Sequence, residues 1–74
     1  MEIYELVIED LTTLGRMGSE PRVKETKLFE KANDAKAYAE ADYGKSIKWK
    51  GYSDRITSPD LSYVMYIIWR REVA

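Results

Sequence analysis

The chain has 74 residues, 45% of them hydrophobic and 12% aromatic, with 12 basic and 13 acidic side chains and a net charge of −1. That size predicts one domain burying about 60–65% of its unfolded surface, with stability near the low end of about 5–15 kcal/mol. With neither cysteine nor histidine, disulfides, thiolate chemistry and the commonest zinc ligands are excluded, and so is the usual general base near neutral pH.

Residues 2–9 read as a strand with Tyr4, Leu6 and Ile8 on one face and Ile3, Glu5 and Val7 on the other. Residues 11–22 contain Gly15, Gly18, Ser19 and Pro21 and read as a long hairpin loop with Arg16 and Met17 near its tip. Residues 23–30 read as a second strand, charged enough to suit a sheet edge.

Residues 33–43 read as a helix: Asn33 is the expected N-cap, Asp34 suits the positive end of the helix dipole, and Gly44 terminates it. Ala35, Tyr38, Ala39 and Asp42 share one side, where the alanines permit close approach to a sheet. Residues 46–53 read as a strand with Ile47 and Trp49 on one face and Lys48, Lys50 and Tyr52 on the other. Residues 54–61, with Pro59 and Asp60, read as a turn.

Residues 62–72 form the strongest predicted strand, with Tyr63, Met65, Ile67 and Trp69 on one face and Val64, Tyr66 and Ile68 on the other. A strand apolar on both faces belongs in the middle of a sheet. A helix over the same residues is the rival reading, disfavoured by the density of Tyr, Val, Ile and Trp. The expected fold is α+β: one helix packed on a four-stranded antiparallel sheet, order β-β-α-β-β, as a single domain over 1–74.

One helix covers one face of such a sheet. The other face needs local cover from residues such as Leu11, Leu14 or Met17, a second copy of the chain, or a different partner. The segment 45–55 is basic, with Lys45, Lys48, Lys50 and Arg55 against Asp54 alone. Lys48, Lys50 and Tyr52 beside Tyr66 and Arg70 would make a basic, aromatic face of the kind that stacks single-stranded nucleic acid. The plainer reading of alternating lysines is a solvated face. Candidate partner-binding residues are therefore Arg16, Met17, Lys48, Lys50, Tyr52, Arg55, Tyr66 and Arg70. The acidic start, Glu2, Glu5, Glu9 and Asp10, suits contact with a basic groove or simple solvation.

Catalysis is hard to assemble from these residues. Glu9 and Asp10 are adjacent on a strand and point apart, and the Gly15–Gly18 spacing is too short for a phosphate loop. The expectation is a non-enzymatic protein without metal or cofactor. The start has no basic signal-peptide region and no stretch approaches about 20 apolar residues, so a cytoplasmic setting is expected.

The run from Phe29 through Asp34, Ala39 and Tyr43 to Gly44 passes from a strand through a short charged turn into a helix, then on to Ile47 and Trp49. This pattern, over about residues 23–52, resembles a layout among small phage-encoded proteins, including some anti-CRISPR proteins and early host-takeover inhibitors. The likeness extends to the whole chain in element order only. It implies a protein that blocks a host or defence complex by occupying a surface, with no particular residue assigned a role. The balanced charge departs from the strongly acidic members that mimic nucleic acid.

Overall fold

A computed structural model describes residues 1–11, 22–59, 61 and 63–72. The elements are β1 (Glu2–Asp10), β2 (Arg22–Phe29), α1 (Ala32–Tyr43), β3 (Lys50–Gly51), β4 (Arg55–Thr57) and β5 (Val64–Glu72). They form one five-stranded sheet in the order β2-β1-β5-β4-β3, every neighbouring pair antiparallel. The last strand thus inserts between the first and β4, pairing with β1 from Glu2↔Glu72 to Asp10↔Val64.

The α+β class holds. The four-stranded sheet and the β-β-α-β-β order are corrected to five strands, β-β-α-β-β-β. Two local differences account for this. The expected strand 46–53 narrows to Lys50–Gly51, because Ile47 and Trp49 bond to Glu40 on the helix instead of pairing with a strand. The expected turn 54–61 contains β4, whose Ile56 and Thr57 are β-branched residues suited to the pleat. Pro59 stops the strand only after Ser58 has joined β5. The Ser58 amide donates to the Tyr66 carbonyl at 2.9 Å, and the Tyr66 amide donates to Ser58 Oγ at 3.0 Å.

The helix begins one residue before the expected start. Lys31, with extended backbone, occupies the N-cap without a side-chain capping bond, and Asn33 sits exposed in the first turn. Gly44 closes the other end with φ +88°, and its amide donates to the Glu40 carbonyl at 2.8 Å. A left-handed backbone there favours glycine because it has no Cβ.

The alternation read in β1 and β5 decides which side chains meet the helix. Leu6, Ile8, Tyr66 and Ile68 are fully buried beneath Ala35 and Ala39, with Val64 and Ile47 nearly so. Each large aliphatic side chain removed from water in this way stabilises the fold by about 1.5–3 kcal/mol. The small alanines let the helix sit close, and Phe29, Tyr38, Tyr43 and Trp49 pack around the margin of the core.

Tyr66 brings a hydroxyl into that core, where it donates to Asp42 Oδ2 at 2.7 Å. Burial first, then the Asp42 hydrogen bond, raise its pKa well above the ordinary tyrosine value. Above pH 10 a tyrosine in the unfolded chain loses its proton while the folded one keeps it. The unfolded state then binds fewer protons, so this contribution is complete below pH 10 and is lost as pH rises. Tyr66→Phe should cost about 1 kcal/mol at neutral pH. The gap between variant and wild type should narrow above pH 10, measured by urea denaturation on either side of that value.

Candidate functional site

The strand registers leave one face of the sheet away from the helix. On it β1 presents Glu5, Val7 and Glu9, and β5 presents Met65, Ile67, Trp69 and Arg71. Directly paired positions share a face, which adds Leu28 and Thr26 from β2 and Arg55 and Thr57 from β4. Val7, Met65, Ile67 and Trp69 are half-buried, forming an apolar strip along the two middle strands. At the β2 edge, Leu28 retains 63% of its surface exposed.

Cations and aromatic rings alternate at one corner of this face. The Arg55 guanidinium carbon lies 5.4 Å from the Trp69 ring centroid, and that of Arg71 lies 5.3 Å from it. Arg55 also sits 4.6 Å from the Tyr52 ring, and Lys50 Nζ lies 5.6 Å from the same ring. The order along the ladder is Lys50, Tyr52, Arg55, Trp69, Arg71. Each exposed cation–ring contact is worth about 0.5–1 kcal/mol.

Carboxylates fix the two guanidiniums in place. Arg55 Nη1 donates to Asp54 Oδ1 at 2.9 Å, while Arg71 Nη2 and Nε both donate to Glu5 Oε1, at 3.0 and 3.2 Å. Surface ion pairs of this kind add little stability. Their consequence here is geometric: the two ion pairs hold the arginines against the Trp69 ring.

Of the sequence-predicted residues, Lys50, Tyr52 and Arg55 are brought together in this ladder. Lys48 is exposed on the segment before β3 and lies outside it. Tyr66 is a correction: only 1% exposed, it faces the helix and cannot meet a partner. Arg70 is also displaced from the expected face. It pairs with Tyr4 on the helix side, and its guanidinium donates to the Ser53 carbonyl. Arg16 and Met17 lie outside the described residues, as do Leu14 and most of the loop expected over 11–22.

No family model, curated protein or solved structure matches the chain. What the site can do therefore rests on its own chemistry.

Trp69 and Arg71 belong to the site although sequence reasoning does not single them out. Their signal is present in the alternation of residues 62–72, but Arg55 meets Trp69 only because β4 exists, and those residues read as a turn. Two clefts lie on the helix side. One, of about 250 Å³, is lined by Asp10, Lys24, Asp42, Tyr43, Tyr63, Val64 and Tyr66. The other, of about 150 Å³, lies between Tyr4, Tyr52, Arg55, Ile56 and Arg70 near the start of the helix. Among the described residues no three acidic side chains gather as a metal site, and no helix is long and apolar enough to cross a membrane.

Proposed function

We propose that this chain is a small non-enzymatic binding protein whose contact surface is the sheet face opposite the helix. The observation that carries this reading is Trp69 held between Arg55 and Arg71 beside an apolar strip. Trp, Tyr and Arg are the residues in which protein interfaces concentrate their binding energy. A strip of Val7, Met65 and Ile67 supplies apolar contact area, and Lys50, Glu5 and Glu9 supply a polar rim that fixes orientation. The sequence resemblance adds a setting: a phage-type inhibitor or modulator that occupies a surface of a host or defence complex of the CRISPR kind, in the host cytoplasm.

The test is capture from bacterial lysate by wild type, Arg55→Glu and Arg71→Glu, each first shown by circular dichroism to be folded. Wild type should retain a protein complex in stoichiometric amount, and each reversal should weaken retention by about tenfold or more. Equal retention by all three would remove this face from the interface. Capture of nothing at low and moderate salt would remove the reading itself.

A second reading is a small single-stranded nucleic-acid module, favoured by Lys50, Tyr52 and Arg55 meeting at one exposed corner. It is the weaker of the two on physical grounds. The guanidiniums already cover the Trp69 ring that a base would stack on, and the net charge of −1 gives no broad basic surface. If it holds, an oligonucleotide should bind at low salt. The double variant Lys50→Ala/Arg55→Ala should then flatten the plot of log K against log salt by about 0.7 for each phosphate no longer neutralised. Absence of binding at low salt rejects it.

A further inference from the structure

The sheet ends on β2, and among the described residues no strand covers its outer edge. Such an edge presents backbone donors and acceptors to any extended chain, and its own side chains decide which chain fits. In antiparallel pairing of β2 with a second β2, directly opposite residues have a constant sum of residue numbers. Side chains share a face only when one residue lies on the two-fold axis.

Charge eliminates most of these registers. An axis at Glu25 sets glutamate against glutamate, and an axis at Lys24 or Lys27 sets lysine against lysine. An axis at Val23 sets Arg22 against Lys24, and one at Leu28 sets Lys27 against Phe29, which offers it no opposite charge. An axis at Thr26 sets Glu25 opposite Lys27 and Lys27 opposite Glu25.

Those two charges are already placed. Tyr38 donates its hydroxyl to Glu25 Oε2 at 2.5 Å, and Lys27 Nζ lies 4.8 Å from the centroid of the same ring. Both charged groups are thus held on the helix side of the edge by one aromatic side chain. The register irregularity at Ile8/Glu9 makes Lys24 the extra residue of β2, so regular geometry runs from Glu25 to Phe29, and an axis at Thr26 keeps Glu25, Thr26 and Lys27 within it.

We propose that two copies of this chain pair antiparallel through β2, with Thr26 on the two-fold axis and the Glu25–Lys27 pairs closing on either side of it. The product is a ten-stranded sheet in which the two faces opposite the helices lie side by side. This association is independent of the Arg55–Trp69–Arg71 cluster, which sits on β4 and β5 with β1 between it and the β2 edge.

Sedimentation equilibrium over the micromolar to millimolar range tests it with wild type, Glu25→Lys and Lys27→Glu. Wild type should dimerise. Each single variant sets like charges opposite each other and should be monomeric, while an equal mixture of the two restores both opposite-charge pairs and should dimerise. A wild type that stays monomeric overturns the proposal and leaves the edge for an extended segment of another protein. So do single variants that dimerise as wild type does, or folded variants whose mixture stays monomeric. Because Glu25→Lys removes the Tyr38 contact, a second pair of variants avoids that site. The chain has no cysteine, so Thr26→Cys introduces a single thiol. It should oxidise to a disulfide-linked dimer at least about tenfold faster than Leu28→Cys, because only an axial position brings two copies of one residue within disulfide reach. Equal rates would overturn the register.

Discussion

Ile68→Ala should lower stability by about 3 kcal/mol, while Ile67→Ala, one residue away, should cost about 1 kcal/mol. The two side chains are chemically identical and lie on the same strand. Ile68 is fully buried under the helix, flanked by Leu6 on β1 and Ile56 on β4. Truncating it removes three methyl or methylene groups from water-excluded space and leaves a cavity whose walls are two paired strands and a helix, which collapse poorly. Ile67 is half-buried between Val7 and Thr57 on the other face, where solvent can fill what the side chain leaves. In a domain of this size each 1 kcal/mol moves the melting temperature by about 4–8 °C, so Ile68→Ala should melt about 12–24 °C lower than wild type. Thermal and urea melts followed by circular dichroism check both variants. Equal losses would mean that Ile67 is as enclosed as Ile68, and the face on which the proposed function rests would not be available to a partner.

This contrast also explains which parts of the fold are legible in the sequence. The alternation in 2–9 and 62–72 places the right residues together, and a strand apolar on both faces does occupy the centre of the sheet, third of five. β2 is charged and lies at an edge, as its composition implies. These features follow from local pattern. What pattern leaves undecided is which face of β5 the helix takes, since both are apolar. Tyr66 and Trp69 sit on opposite faces in either case. Placing Tyr66 on the partner side is an error of parity that only the pairing of Tyr66 with Ile8, beneath Ala35 and Ala39, corrects.

The site is legible in part for the same reason. Lys50, Tyr52 and Arg55 are close in sequence, so their clustering needs only a local turn, and the Tyr52 amide does donate to the Arg55 carbonyl at 2.7 Å. The contacts of Arg55 and Arg71 with Trp69 require β4 to pair with β5. Three residues ahead of a proline give too little periodicity to announce a strand. The helix start is displaced by a competing preference: Asn33 is a better cap than Lys31, yet the chain leaving β2 at Phe29 enters the helix sooner than the cap residue would have it.

Glu40→Ala should destabilise the domain by about 2–4 kcal/mol, although Glu40 is an ordinary-looking acid towards the end of a helix. Its Oε2 accepts the Ile47 amide at 3.0 Å and the Trp49 indole N–H at 3.2 Å. Those two bonds hold residues 46–49 along the helix, which buries Ile47 and tucks Trp49 against the core margin. This is why the alternation of Ile47 and Trp49, read as a strand, is satisfied by a helix-side strap instead. Alanine leaves the amide and the indole N–H without their acceptor and releases the apolar contacts that depend on it. Bonds to a charged acceptor contribute about 1.5–3 kcal/mol, and two that share one carboxylate are not additive. Glu40→Gln keeps an acceptor oxygen at the same reach and should recover part of the loss. Trp49 lies at the strap and Trp69 on the opposite face, so Trp49→Phe and Trp69→Phe backgrounds separate their fluorescence. In the Trp69→Phe background, Glu40→Ala should shift tryptophan emission to longer wavelength before the global unfolding transition. In the Trp49→Phe background it should leave the emission of Trp69 unchanged. A single cooperative transition with no prior shift would mean that the strap is held by packing alone.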